Sequence, residues 1–564
     1  MAFAKDVSAG SSTPRVVIMG GGLGGLSFGI ALKRQLGFNN FIIYEKASDI
    51  GGTWRDNTYP GCASDVPTHW YSLSTDLNPN WSRTHVLQPE LQAYWKNIAA
   101  KYNLYDHVVL NTKVNRAVWD NSEQVYRIEL ENVRTGERSV TTAQVFVGAL
   151  GLLSEPKVPT DLKGVERFKG DMFHTARWNH SVDFRNKRTA VIGNGCSAAQ
   201  LIPHLVKEPS TSIVNFVRTP VWFVNPRRGD YAEWQKWVFA NVPGAMRLYR
   251  TYLFWELDLL FPVFQGKRNR IRDKMQKDLE KFMIEKTPKK YHDKIIPNYP
   301  PACKRLVMET GYLGSLHKPN MDVNWDGIDT LTEEGIRTKT GENIPFDVIV
   351  LGTGFVTDEY PVPVFGSNGQ SIQQYYKSQG GPTAFGGVTV AGFPNFFMLA
   401  GPNTNTSHSS AIFGEEVQIN YAVQLIAPIL RGEALSFELT EKASDKYNNW
   451  LQRKLANTAY NECVSWYRVG GTGKNFSIFP GPMTQYWWIL RSPKWSDYKA
   501  VGADRWNRRR RLASALKGSA FVLFTMFLVW AARQKDFVTK FLLSFWLTLQ
   551  SIPAAILAWF SQEV

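Results

Sequence analysis

Two glycine-rich turns, each set between an apolar run and a helical pattern, constrain this chain more than any other feature. The first follows Val16-Val17-Ile18-Met19 and reads Gly20-x-Gly22-x-x-Gly25, leading into a helical pattern over Leu26 to Leu36. The second follows Thr189-Ala190-Val191-Ile192 and reads Gly193-x-Gly195-x-x-Ala198, with alanine in third place. In such a turn the first glycine permits the tight bend and the second lets a pyrophosphate reach the backbone, while the third lets helix pack on strand. A further apolar run closes each unit, Phe41 to Tyr44 before Glu45 and Ile213 to Val217 before Arg218. Glu45 and Arg218 each stand twenty residues beyond the third small residue of their turn. An acid there accepts from a ribose hydroxyl pair, whereas a guanidinium meets a 2′-phosphate with paired, charge-assisted bonds. The fold class that follows is α/β with two Rossmann-like dinucleotide-binding domains, the second suited to NADPH over NADH.

The 564 residues leave room for about three to four domain-sized units. A formal charge of +16 admits nucleic acid, an anionic membrane surface or anionic cofactors as partners. No nucleic-acid motif is present, so nucleic acid is not expected. The cysteines Cys62, Cys196, Cys303 and Cys463 are scattered, with no CxxC pair and no zinc spacing. They argue against a metal site and against a disulfide framework, and favour a reducing compartment. Met1 to Pro14 is polar and has no apolar core of a secretory signal.

Between and beyond the turns lie further motifs. Gly51-Gly52-Thr53-Trp54 and Tyr59-Pro60-Gly61 precede Asp65, and the linker between the turns carries Phe168-x-Gly170-x-x-x-His174-x-x-x-Trp178. Tyr299-Pro300-Pro301-Ala302-Cys303-Lys304-Arg305, Phe346 to Phe355, Gly392 to Phe397 and Gly401-Pro402-Asn403 follow. From about Arg15 to Tyr498 the chain resembles the Baeyer–Villiger monooxygenases, a branch of the class B flavoprotein monooxygenases. It departs at Asn179, where that family has Pro or Asp, and at Ala149-Leu150-Gly151, where ATG is expected. Trp178 favours this branch, since the N- and S-oxygenating relatives usually carry another aromatic there.

The resemblance implies FAD at the first turn, held by Gly20, Gly22, Gly25, Glu45, Thr53 and Trp54. It implies NADPH at the second, held by Gly193, Gly195, Ala198, Arg218, Thr219 and Lys304, with Trp466 approaching the nicotinamide. Arg305 is the implied catalytic residue and Asp65 its orienting partner, while Phe168, Gly170, His174 and Trp178 couple domain movement to flavin reduction. The implied reaction takes hydride from NADPH to FAD, activates O2 and inserts one oxygen beside a ketone carbonyl to give an ester or lactone. An aromatic-rich insertion and an apolar tail point to an apolar, natural-product-like ketone. The expected division is residues 1–148 and 356–500 for the FAD domain, 149–222 (with the linker) and 303–355 for the NADPH domain, and 223–302 for a helical insertion. Two rivals stand beside this reading: a flavin monooxygenase that oxidises nitrogen or sulfur or hydroxylates carbon, and a membrane-anchored flavin-binding protein without oxygenation.

Beyond Tyr498 the composition changes. Arg505 and Arg508 to Arg511 form a basic block, and two apolar stretches follow, Gly518 to Ala532 and Phe541 to Phe560. The longer, uncharged over twenty residues, measures about 30 Å as a helix, enough for a hydrocarbon core, and the shorter is marginal. Residues 512–560 are therefore expected to form membrane-anchoring helices, as one span or as a hairpin around Arg533 to Asp536. The arginine block places the catalytic body on the cytoplasmic side.

Overall fold

A computed structural model describes residues 15–226, 229–266 and 269–533, together with residues 540, 541, 543, 544, 546 and 547. The chain divides into one unit ending at Val501 and a second beginning at Gly502.

The first unit is built on two parallel five-stranded sheets. One has the order Phe396–Met398, Val145–Gly148, Val16–Met19, Phe41–Tyr44, Val108–Val109. Its strands run as unbroken apolar residues because both faces of a parallel sheet are covered; Val16, Val17 and Ile18 are fully buried. Helix α1 (Leu23–Leu36) follows the first glycine turn, and no side chain caps its N-terminus. Its first N–H groups are thus left for a ligand.

The other sheet has the order Met321–Asn324, Ser212–Phe216, Arg188–Ile192, Val348–Leu351, Asp171–His174. Helix α2 (Cys196–Leu205) follows its glycine turn. The fingerprint segment is more than a linker: Asp171–His174 is the edge strand, paired in parallel with Val348–Leu351. After Gly148 the chain leaves the first sheet, builds the second through Leu351, and returns with Phe396–Met398 beside Val145–Gly148.

Two helices of the middle segment, α3 (Glu233–Asn241) and α4 (Ala245–Asp258), lie between strands of the second sheet in sequence. The inner face of α4 sets Tyr249, Leu253, Phe254 and Leu257 against Val66, Trp70 and Phe413. Arg250, buried among them, donates to the carbonyl of His69 at 2.7 Å and lies 4.6 Å from the Trp70 ring centroid. Helix α5 (Ala411–Leu430) packs on α1. At the end of α4, the Asp258 carboxylate accepts from the backbone N–H of Met483 at 2.5 Å and of Thr484 at 3.3 Å, capping α6 (Met483–Leu490).

Cys303 and Cys463 form a disulfide, which corrects the reading of the scattered cysteines as arguing against disulfides. The partners are 160 residues apart, so no short spacing announces the bond. Cys62 and Cys196 are free; burial pushes their thiols up, to about 12 and about 11, and keeps them protonated and inert.

The second unit contains α7 (Asp504–Arg533), a 30-residue helix. Its Asp504–Trp530 portion is long enough to cross a membrane and contains an 18-residue stretch with a mean hydropathy of 1.8. The shorter apolar stretch, rated marginal by its uncharged length, thus lies within this helix. The helical hydrogen-bond ladder runs on through the flanking arginines, which can extend along the helix toward water. Phe541 to Phe560 and the turn after Arg533 lie almost wholly outside the described residues.

Candidate active site

Both glycine turns have the shape their sequences require. At Gly20 (φ +109°) an added Cβ would stand 2.6 Å from the carbonyl oxygen of Ala149, and at Gly25 it would stand 1.9 Å from that of Gly20. Glu45, at the end of the neighbouring strand, accepts from the Gly21 N–H at 2.7 Å through Oε2. Its Oε1 accepts from the Ala47 N–H and from Arg55, both at 2.9 Å. Arg55 is absent from the sequence reading; its only signal is a basic residue just after Thr53-Trp54. Those two residues open a short helix, and the Trp54 indole donates to the Tyr71 hydroxyl at 3.3 Å. An uncapped helix N-terminus, a glycine cradle and an acid at the next strand end together fit a dinucleotide such as FAD.

At Gly193 (φ +106°) an added Cβ would lie 2.4 Å from the Gly352 carbonyl oxygen, whereas at Gly195 it would meet nothing within 4 Å. That open space suits a pyrophosphate. Ala198 is fully buried beside Gly352, so glycine is not needed in third place. Asn194 donates to the Thr219 carbonyl at 3.0 Å. Arg218 lies near enough to Lys304 to repel it: burial, chiefly, and then the Arg218 charge hold the Lys304 ammonium below its ordinary value. Neither cation forms an ion pair with an acid among the described residues, although the Lys304 ammonium lies 4.5 Å from the Tyr299 ring centroid, and two neighbouring cations without an acid fit the 2′-phosphate of NADPH.

Close to Cys196, which opens α2 after the second turn, stands the pair Asp65 and Arg305. The guanidinium donates from Nε at 3.0 Å and from Nη2 at 2.5 Å to the same carboxylate oxygen, Oδ2. The Asp65 charge raises the Arg305 pKa further, so the cation is permanent. The segment that delivers Arg305 is held from several sides. Ala302 adopts a left-handed conformation (φ +71°), Cys303 is bonded to Cys463, and the Tyr299 carbonyl accepts from the Trp222 indole at 2.8 Å. The segment before Asp65 is held by Gln200 of α2, which accepts from the Tyr59 hydroxyl at 2.8 Å and donates to the Ala63 carbonyl at 3.1 Å.

Residues 18–86 match the family model for an NAD(P)-binding Rossmann-like domain, and residues 79–226 match that for L-lysine 6-monooxygenase/L-ornithine 5-monooxygenase. A Baeyer-Villiger monooxygenase of Pseudomonas aeruginosa is 35% identical over 478 residues, covering 83% of this chain and 88% of the relative. One of Streptomyces coelicolor is 34% identical over 493 residues, covering 86% and 92%. The crystal structure of cyclohexanone monooxygenase from Rhodococcus sp. Phi1 bound to NADP+ superposes with a TM-score of 0.76 at 25% identity, covering 87% of this chain and 99% of that one. The chain belongs to the Baeyer–Villiger monooxygenase family.

Of this family member's fingerprint residues, Gly170 is fixed by packing, since a Cβ would stand 2.5 Å from the Asp347 carbonyl oxygen. Phe168 packs on the apolar cluster beneath the second sheet. Trp178 meets Phe173 edge-on at 5.1 Å and stacks on Phe184 at 5.6 Å. Asn179 accepts from the Ser181 N–H at 3.1 Å, the turn an aspartate would make, so the departure from Pro or Asp preserves the local geometry. His180 meets the Thr58 hydroxyl at 2.8 Å and ties the turn after Trp178 to the segment before Asp65. Trp466 is half exposed, with its ring 4.6 Å from Tyr467; burial pushes the Tyr467 hydroxyl up, and the nearby Arg305 charge opposes that shift.

His174 sits in the edge strand, almost fully buried, and accepts from the Ala176 N–H at 3.0 Å. Burial pushes it down to about 4, and it does the same to His69, which is packed among Tyr231, Phe239 and Tyr249. Both rings are therefore neutral when folded at pH 7. As pH falls below about 6.5 the unfolded chain takes up protons that the folded chain refuses until about 4. Folding stability should thus drop by on the order of 3 kcal/mol per histidine between those limits. Denaturant titrations at pH 7 and pH 4.5 check this: His69→Phe should flatten the pH dependence, and an unchanged difference between the two pH values would contradict it.

Sequence reasoning also missed Asn215 and Gln200. Asn215 donates to the carbonyls of Val191 and Gly193, both at 2.8 Å, and accepts from Tyr312 at 2.7 Å. Its signal was a single polar residue inside the buried run Ile213 to Val217. Gln200 carried no signal beyond its place in a helix.

Proposed function

We propose that Arg305 and Asp65 form the catalytic centre of a Baeyer–Villiger oxygenation of an apolar ketone, in an enzyme held at a membrane by its C-terminal tail. The chain is an NADPH- and O2-dependent flavoprotein monooxygenase. FAD and NADPH, when bound, supply hydride transfer and activation of O2. FAD is assigned to Gly20, Gly22, Gly25, Glu45, Thr53 and Trp54. NADPH is assigned to Gly193, Gly195, Ala198, Arg218, Thr219 and Lys304, with Trp466 at its nicotinamide end. The FAD domain takes residues 1–148 and 356–500, the NADPH domain 149–222 and 303–355, and the insertion 223–302.

The observation that carries this reading is the guanidinium of Arg305, which spends two donors on one oxygen of Asp65 and keeps three N–H groups with no hydrogen-bond partner among the described residues. A ketone carbonyl attacked by oxygen develops negative charge on its own oxygen, and a preorganised donor that cannot lose its proton stabilises that charge. Asp65 fixes the orientation of the plane. The fingerprint strand carries no acid–base duty, since neutral His174 is enclosed by the second sheet; it is assigned to positioning that sheet against the first.

Among the described residues, one helix is long and apolar enough to cross a membrane. We assign α7 as the anchor, with the arginines at 508–511 on the cytoplasmic side together with the body.

The test is mass spectrometry of the full-length enzyme incubated with NADPH, FAD and a panel of lipophilic ketones, amines and thioethers. Gain of one oxygen on a ketone, as an ester or lactone, is the expected result. Oxygen gain confined to amines or thioethers would replace this reading with N- or S-oxygenation. Bleaching of the flavin by NADPH without any oxygenated product would reject oxygenation.

A further inference from the structure

Helix α4 is apolar on both faces. Its inner face packs against Val66, Trp70 and Phe413, yet Leu248, Tyr252, Trp255 and Leu259 recur at positions one, five, eight and twelve on the outside. These four are 73%, 55%, 48% and 70% exposed. On α3, Trp234 and Trp237, one helical turn apart, add rings that are 69% and 62% exposed. A surface helix normally turns a polar face to water, and a contiguous apolar patch marks a surface that something else covers.

We infer that the outer face of α3 and α4 is a second membrane contact, lying in the headgroup region of an anionic bilayer. The inference rests on the anchoring of the chain by α7. Three features select lipid over a second copy of the chain. Tryptophan and tyrosine dominate the patch, and these rings favour the water–hydrocarbon boundary. The chain carries a formal charge of +16, which draws it toward an anionic surface. An anchored chain also presents its own body to the bilayer at high effective concentration, so even a weak surface contact is populated. Because the inner face of α4 touches Val66, lipid contact reaches the residue next to Asp65 through one layer of side chains.

The experiment uses the full chain in vesicles of phosphatidylcholine and phosphatidylserine, with a solvatochromic label attached through Tyr252→Cys. A reference label is attached through Val140→Cys, on an exposed position of the strand Arg138–Ala143. The unsubstituted chain gives the background from Cys62 and Cys196. The expected result is flotation with the vesicles, a blue-shifted label at position 252, and quenching by brominated lipid several times stronger there than at position 140. Joint replacement Trp234→Ser, Trp237→Ser and Trp255→Ser should remove that excess quenching while flotation persists. Flotation with the label at 252 as wet as that at 140 would overturn this inference and leave the anchor standing. Failure to float would overturn the anchor, and the inference with it. A label shielded before lipid is added, in a species of twice the mass, would assign the face to self-association and overturn the lipid contact.

Discussion

Arg305→Ala should leave reduction of the flavin by NADPH close to the wild-type rate while ester formation falls by about 100- to 1,000-fold or more, the usual cost of removing a donor to a developing oxyanion. The two half-reactions separate because Arg305 bonds to Asp65 and lies beside Tyr467, whereas the cations assigned to NADPH are Arg218 and Lys304. Stopped-flow absorbance follows the first half and product mass spectrometry the second. Arg305→Lys should fail to restore activity, since a lone ammonium cannot hold Asp65 through two donors of a rigid plane and also reach the substrate. Asp65→Asn should be milder than Arg305→Ala, because the guanidinium keeps its charge and loses only its orientation. Ester formation at the wild-type rate in Arg305→Ala would remove Arg305 from the chemistry.

The second large effect concerns cofactor choice. Arg218→Ala should raise the KM for NADPH by about 10- to 150-fold, corresponding to charge-assisted bonds of about 1.5–3 kcal/mol. The KM for NADH, which has no 2′-phosphate, should hardly change. Removing Lys304 as well should bring the two cofactors to near equality, because the same two cations face the same group. Steady-state kinetics with both cofactors measures this directly. An equal loss for NADH and NADPH would mean that Arg218 supports the strand end and does not select the phosphate.

The parts of the fold governed by local rules were legible in the residues. Continuous apolar runs announced the central strands, since a strand covered on both faces has no polar side to show, and the glycine turns located both sheet-to-helix bends. Glu45 and Arg218 followed from counting along a repeating unit. What escaped was set by contacts between distant residues. Asp171–His174 looks like a linker because only its pairing with Val348–Leu351 makes it a strand. Arg55 binds Glu45 across a turn, and Gln200 reaches Tyr59 from a helix 141 residues away. The extent of α7 was hidden for a different reason: charged residues end a hydropathy window but not a helix. Asn179, by contrast, looked like a defect in a motif and proves to be an equivalent acceptor.

The bond between Cys303 and Cys463 has a mechanical consequence. It joins the stretch that precedes the last strands of the second sheet to the stretch that follows the last strand of the first. The backbone itself crosses between the sheets after Gly148 and again after Leu351, so the bond is a third covalent link between them. Arg305 lies two residues from that link. The guanidinium proposed for catalysis thus sits where the two halves of the first unit are fastened to each other.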